Sequence, residues 1–285
     1  MLDAIDEYSI ANEISVLRDT YRGTVVLVEG ADDGRLMEKF RAREDRCRIV
    51  PAFGNERALR VLRILRDRGH GHSLLLILDA DYWHLTGDTP DDRDIVITDF
   101  HDLEMDIAMS DAFDSVLREI GDRERVAELE HQHRVSIRLM LLREAGRIAA
   151  VRYANALRGL YLRFRDVDLE SFVRDETAVI DVGGYVQAVL EKSHGGVSLG
   201  EVLSETANIR SVDSDLAQMV RGHDFAALLA VALRCLIGQC PPDIASPRHV
   251  ESLLRLAFGR EHFDRSALNA AILDWEARTG GVVLD

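Results

Sequence analysis

Three acidic residues follow two short apolar segments of the sequence. Glu29 comes directly after the segment 24–28, and Asp79 and Asp81 come directly after the segment 74–78. Each segment is a run of β-branched residues and leucines, too short for an independent helix, a pattern typical of a buried β-strand. Strands buried on both faces belong to parallel sheets, whose functional sites form at the carboxyl edge. We therefore expect the three carboxylates to meet at one edge of one sheet.

Carboxylates gathered at such an edge need a proton or a cation. Two negative charges 4 Å apart repel by about 4 kcal/mol at an effective dielectric constant of 20. Hard carboxylate oxygens suit Mg²⁺, with Mn²⁺ as an alternative. Alternation along an extended chain would also place the side chains of Asp79 and Asp81 on the same side, where they could hold one ion. The pattern predicts a metal site that activates water or protonates a leaving oxygen, with Glu29, Asp79 and Asp81 as its catalytic residues.

A structural interpretation competes with the catalytic one for each acid. Glu29 alone could be a solvated acid at a strand end. Asp32 and Asp33 lie where the first turn of the next helix is expected, and helix starts favour acids through capping and the helix dipole. Asp224 precedes an apolar segment and has the position of a helix N-cap residue. His101 could orient a phosphate or transfer a proton, or it could be an ordinary structural histidine.

A turn followed by an arginine row could contact phosphate groups. Gly54 and Asn55 precede a predicted helix, and the amide groups at a helix start suit a phosphate. Arg57, Arg60 and Arg63 are spaced at i, i+3 and i+6. Arginine can bind phosphate through two parallel hydrogen bonds, although such rows are usually solvated helix faces. We predict Asn55, Arg57 and Arg60 as nucleic-acid contacts.

Alternating strands and helices would position these residues. Strands are predicted at 24–29, 48–53, 73–79 and 95–98, with helices at 4–20, 32–41, 56–68 and 103–120. This order predicts an α/β fold with a mostly parallel sheet of about four strands flanked by helices. From about residue 123 only helices are predicted, including long ones at 124–143 and 148–162. We therefore divide the chain into a domain at 1–122 and a helical domain at 123–285.

Composition excludes several classes of protein. The 285 residues carry a net charge of −15, which argues against a general nucleic-acid coat protein. No apolar run approaches the roughly 18 residues that a membrane span needs, and no basic-then-apolar leader begins the sequence. Three cysteines without a CxxC pair fit a reducing cytosol, so we expect a cytoplasmic protein. There is no GxxxxGK[ST] motif, which excludes a P-loop ATPase.

The acidic motifs resemble those of the TOPRIM domain. One strand ends in Glu29-Gly30 with an Asp soon after it, and a later strand ends in Asp79-x-Asp81. This order is similar to the TOPRIM pattern, which is shared by topoisomerases, bacterial primases, recombination-repair proteins, small RNA-maturation nucleases and overcoming-lysogenization-defect nucleases. The match is closer to a bacterial branch, formerly a domain of unknown function, that supplies the nuclease effector of PARIS-type phage-defence systems. The core resemblance covers roughly residues 20–110. Three further segments that fit this branch are 53–55, 98–104 and 222–224.

This resemblance implies a function and further site residues. Asp33 and Glu104 would join Glu29, Asp79 and Asp81 as metal ligands of a Mg²⁺-dependent nuclease. The substrate would be RNA, with transfer RNA as one candidate, or DNA, and the role antiviral defence. A homodimer and a separate ATPase partner are also implied. The alternative is a non-catalytic TOPRIM-like binding or assembly module with a structural metal site.

Overall fold

The sheet is all parallel. The computed structural model describes residues 6–209 and 213–285. Its four-stranded sheet has the order β2-β1-β3-β4. The strands are β1 (Thr24–Val28), β2 (Cys47–Pro51), β3 (Leu74–Leu78) and β4 (Ile95–Ile97). β1 and β3 are buried along their whole length, as strands central to a parallel sheet must be. The predicted parallel sheet of about four strands, flanked by helices and followed by a helical part, is confirmed.

The helices follow the strands in the expected alternation and then dominate the later part of the chain. In chain order they are α1 (Glu7–Arg18), α2 (Ala31–Met37), α3 (Asn55–Asp67), α4 (Trp83–Thr86), α5 (Leu103–Met109), α6 (Asp111–Ile120), α7 (Arg123–His133), α8 (Ile137–Arg158), α9 (Val182–Lys192), α10 (Leu199–Ala207), α11 (Leu216–Met219), α12 (Gly222–Val231), α13 (Pro247–Ala257), α14 (Arg260–Phe263) and α15 (Ala267–Thr279).

The chain forms two compact units. The first contains the chain as far as Ala80 together with Asp88–Asp99 and Arg260–Asp285; the second contains Asp81–Gly87 and Phe100–Gly259. The first unit therefore holds the whole sheet and also the last helices of the chain. The boundaries of these units differ from the predicted domain boundary at residue 122. That boundary was predicted between two folding domains, and it stays a prediction.

The C-terminal segment belongs to the first unit because it packs on the sheet. α15 lies against β4. The buried Trp275 of α15 donates its indole N–H to the Asp94 carboxylate over 3.1 Å. The backbone N–H of Ala42 donates to the carbonyl oxygen of Val283 over 2.7 Å. A contact between chain segments more than 180 residues apart leaves no local mark in the sequence, which explains why the prediction missed it.

Two predicted helices are each broken in two by a local backbone change. The helix predicted at 103–120 stops at Ser110, which has an extended backbone and caps α6 by accepting a hydrogen bond from Ala112 N–H over 3.1 Å. The helix predicted at 124–143 ends at Arg134, which adopts a left-handed φ of 57°. Ser136 then caps α8. Both serines are N-cap residues by type, and apolar periodicity alone did not reveal the interruptions.

The second unit is helical apart from one small sheet. Val173–Arg174 and Val179–Ile180 pair as antiparallel strands β5 and β6. The expectation of helices only after residue 123 was therefore wrong, because two-residue strands are too short to show a period in the sequence. Within the described residues, no helix is long and apolar enough to cross a membrane.

Candidate active site

Glu29 and Asp79 lie at the carboxyl edge of the sheet, on neighbouring strands. Glu29 directly follows β1 and Asp79 directly follows β3. The two strands are parallel neighbours, with Val28 level with Ile77. Both acidic residues are half-buried. The prediction that these two acids share one edge of one sheet is confirmed, and the edge is the one at which parallel sheets usually place a site.

The turn before α3 forms hydrogen bonds to the backbone of both Glu29 and Asp79. The N–H of Gly54 donates to the carbonyl oxygen of Glu29 over 3.1 Å. The side-chain amide of Asn55 donates to the carbonyl oxygen of Asp79 over 2.9 Å. Gly54 has a φ of 128°, a region that L side chains rarely adopt. Gly54 and Asn55 therefore hold the backbones of both candidate acids in place, a role that the nucleic-acid prediction for Asn55 did not include.

Asp33 stabilises the start of α2. Its carboxylate accepts a hydrogen bond from the N–H of Gly30 over 2.6 Å, and the residue is buried. Asp32, one residue earlier, forms an ion pair with Arg35. Both contacts are those of first-turn helix acids, the structural interpretation that the sequence had left open.

Asp81 does not continue the extended conformation of β3. The strand ends at Leu78, and Asp81 is an exposed residue with a left-handed φ of 45°. Strict alternation of side chains applies only along an extended chain. The argument that alternation places Asp79 and Asp81 on the same side was therefore wrong. Asp81 lies in the second unit, where its N–H donates to the carbonyl oxygen of His101 over 2.8 Å.

Glu104 belongs to a cluster of charged side chains in the second unit. It lies in the first turn of α5, 3.7 Å from the guanidinium of Arg255 on α13. Nearby, the imidazole of His223 lies 2.7 Å from the carboxylate of Glu251. This hydrogen bond raises the pKa of His223 to about 9, and the charges of Glu104 and Asp102 contribute to the shift. Sequence reasoning missed Arg255 and Glu251, because neither lies in a recognisable motif.

Asp102 is a buried acid that joins two helices. Its carboxylate accepts hydrogen bonds from the N–H groups of Met105, over 2.9 Å, and of Gly222, over 2.9 Å. Burial raises the pKa of a carboxyl group, but the pKa of Asp102 lies below its ordinary value, because His101 and the two backbone N–H groups stabilise the charged form. The carboxylate is thus part of the packing of α5 against α12.

Asp224 and Asp99 also have structural partners. Arg152 donates to the two carboxylate oxygens of Asp224 over 2.7 and 3.0 Å, in a nearly buried ion pair. Asp99 accepts hydrogen bonds from the N–H groups of Ala267, over 2.8 Å, and Leu268, over 2.7 Å, at the start of α15. These contacts give the segments 98–104 and 222–224 packing roles that their sequences alone did not establish.

The predicted nucleic-acid residues lie on the first helix after the turn. Asn55 is the first residue of α3, and Arg57 is partly exposed on the same helix. The guanidinium of Arg60 lies 3.1 Å from Glu7 and 3.3 Å from Glu56. Arg60 is thus an exposed residue that forms surface ion pairs with acids of α1 and α3, as expected for a solvated helix face.

In the part of the chain that the structure describes, no group of three or more His, Cys, Asp or Glu side chains could hold a metal ion. A preformed cage of three protein ligands is therefore not present there. Mg²⁺ commonly binds through only one or two carboxylates together with water and substrate phosphates. Glu29 and Asp79 fit that open mode of binding by type and by their shared edge.

No model of a known protein family matches the chain, and no curated protein is significantly similar to it. The resemblance to TOPRIM nucleases therefore stays a prediction from the motif residues.

Proposed function

We propose that this protein is a Mg²⁺-dependent nuclease that hydrolyses phosphodiester bonds at the carboxyl edge of its sheet. The observation that carries the proposal is the position of Glu29 and Asp79 after adjacent parallel strands, with both backbones held by the turn at Gly54 and Asn55. A cation shared by these acids would relieve their mutual repulsion. Mn²⁺ is the alternative cation.

The residues of the first unit have distinct roles in this proposal. Glu29 and Asp79 hold the cation, which when bound supplies an activated water and neutralises charge at the scissile phosphate. Asn55 is a positioning residue, because its amide fixes the Asp79 backbone. Arg57 and Arg60 contact substrate phosphates, which for Arg60 requires exchange of its surface ion pairs.

The remaining parts of the proposal rest on the motif resemblance. For Asp81 and Glu104, in the second unit, a role as metal ligands is what the motif resemblance alone implies. The substrate is RNA, with transfer RNA as one candidate, or DNA, and the role is antiviral defence in the cytoplasm. A homodimer and control by a separate ATPase are the proposed assembly. Asp33 is proposed only as a weak ligand, because it already caps α2.

A second candidate is a non-catalytic binding or assembly module. The observation that favours it is the lack, within the described residues, of three grouped side chains able to hold a metal. Such a module would bind nucleic acid or protein without hydrolysing it.

Hydrolysis of a mixture of RNA and DNA substrates tests the first candidate. Wild-type protein should cleave one of these substrates with Mg²⁺ or Mn²⁺. Cleavage should stop when EDTA removes the metal. Glu29→Gln and Asp79→Asn should each lower the rate by about 100-fold or more, since the charge stabilisation supplied by the metal amounts to several kcal/mol. Asp67→Asn, at an exposed acid at the end of α3, is the matched control and should keep the wild-type rate.

The same experiment separates the two candidates. Far-UV circular dichroism establishes that every variant is folded. The binding module is favoured if the protein binds nucleic acid but leaves it intact with either metal. The same result must hold after the protein is mixed with an ATPase encoded beside the gene. Cleavage that persists unchanged in Asp79→Asn would show that hydrolysis occurs elsewhere and would contradict the assigned acids.

A further inference from the structure

A cavity lies at the amino edge of the same sheet, away from Glu29 and Asp79. It occupies about 480 Å³ in the first unit, where β3 and β4 begin and α15 ends. This volume lies within the range of about 300–1,000 Å³ typical of small-molecule sites. The polar residues that line the cavity are His72, Ser73, Arg93, Asp94, Trp275 and Arg278.

Two arginines supply most of the charge in the cavity. The side chain of Arg93 is exposed and makes no hydrogen bond or salt bridge to any described residue. Arg278 donates through one terminal nitrogen to the carbonyl oxygen of Arg93, over 2.9 Å. Its Nε lies 3.3 Å from the exposed carboxylate of Asp274. The bond between Arg278 and the Arg93 backbone keeps both arginines on the same wall.

The one acid of the lining, Asp94, already accepts hydrogen bonds from two side chains. Its carboxylate accepts from the guanidinium of Arg66 over 2.6 Å and from the indole N–H of Trp275 over 3.1 Å. Arg66 also binds Asp92, and these carboxylates raise its pKa above the ordinary value. The hydrogen bonds from Arg66 and Trp275 weaken the repulsion between Asp94 and an incoming anion. Within the lining, two arginines face this one carboxylate.

We propose that this cavity binds a small phosphorylated ligand of nucleotide size. Guanidinium groups bind phosphate oxygens through parallel hydrogen bonds, and the Ser73 hydroxyl and the His72 imidazole add further donors. The site is separate from the proposed nuclease site and does not depend on it.

Tryptophan fluorescence tests the proposal with the full chain. The protein has two tryptophans, so Trp83→Phe leaves Trp275, in the cavity wall, as the reporter. Titration with AMP should give a saturable change, and inorganic phosphate should compete with it. Arg93→Glu should weaken AMP binding at least 10-fold. Arg123→Glu, at an exposed arginine at the start of α7, is the charge-matched control and should leave AMP binding unchanged.

The remaining outcomes overturn the proposal. If neither AMP nor phosphate gives a saturable fluorescence change, the cavity has no specific anion site. The same conclusion follows if Arg93→Glu and Arg123→Glu lose AMP affinity equally. A short oligonucleotide that binds where AMP does not would identify a nucleic-acid surface instead. The Arg93 side chain makes no hydrogen bond or salt bridge to a described residue, so Arg93→Glu should stay folded, which far-UV circular dichroism checks. Asp79→Asn, which should slow the proposed hydrolysis, should bind AMP normally.

Discussion

At the scale of single residues, the acids of the sequence motifs differ in what their carboxylates accept. Asp33, Asp99 and Asp102 each accept backbone N–H groups at the start of a helix. These bonds use the lone pairs that a metal would also need. Glu29 and Asp79 differ from them in position, since each directly follows one of two adjacent parallel strands. Residue type and spacing alone could not make this distinction.

Asp33 provides a test of capping against metal binding. Asp33→Ala removes the acceptor for the Gly30 N–H and should lower the free energy of unfolding by about 1 kcal/mol, the usual value of such a cap. Asp33→Asn keeps an acceptor oxygen and should retain most of that stability. Urea unfolding followed by circular dichroism measures both variants.

The two variants also report on the metal role. If Asp33 only caps α2, Asp33→Asn should hydrolyse nucleic acid at the wild-type rate. A large loss of rate in Asp33→Asn at unchanged stability would instead assign Asp33 to the metal and contradict the capping interpretation.

At the scale of elements, the start of α12 is fixed by three contacts to three other helices. Gly222 donates to Asp102, which caps α5. His223 pairs with Glu251 on α13, and Asp224 pairs with Arg152 on α8. α12 itself is buried along most of its length. The segment 222–224 is therefore a junction of the second unit.

Gly222 must be glycine for this junction to form. A Cβ at Gly222 would lie 2.2 Å from the Cβ of Glu104 and 2.7 Å from a carboxylate oxygen of Asp102. Gly222→Ala should therefore lower the free energy of unfolding by about 2 kcal/mol or more, since the two helices must separate or the buried hydrogen bond must break. Urea unfolding measures the loss.

Gly200 is the matched control. A Cβ at this position of α10 meets no atom within 4 Å, and its φ is ordinary. Gly200→Ala should leave stability unchanged or raise it by up to about 1 kcal/mol. A Gly222→Ala protein as stable as Gly200→Ala would show that α5 and α12 are not held this closely in solution.

At the scale of the whole molecule, stability should fall as the pH rises from neutral. Below an ordinary histidine pKa of 6.5 His223 is charged in both the folded and the unfolded chain, so its pair with Glu251 contributes fully. The folded pKa of about 9 lies above the unfolded one, so this contribution declines as the pH rises toward 9. The decline should be about 1 kcal/mol, since the imidazole is 54% exposed and water screens the pair.

His223→Gln identifies the source of this decline. The variant should be less stable than wild type at pH 6 and should lack the additional loss between pH 6.5 and pH 9. Repulsion within a chain of net charge −15 acts on both proteins and cancels in the comparison. Equal pH dependence in the two proteins, measured by urea unfolding at each pH, would contradict the raised pKa.

The amino-acid sequence by itself determined the parallel sheet and the edge that holds Glu29 and Asp79. Buried strands of Val, Leu and Ile carry their pattern in consecutive residues, and the chain direction of parallel strands then decides where Glu29 and Asp79 must lie. The start of α3 was likewise predicted to within one residue. These features depend on neighbours within a few positions.

Only the tertiary structure decided which acids have structural partners and which segments complete the first unit. Asp102 meets Gly222 across 120 residues, and Trp275 meets Asp94 across 181 residues. Such contacts arise when distant segments are packed together, and a local pattern carries no information about them.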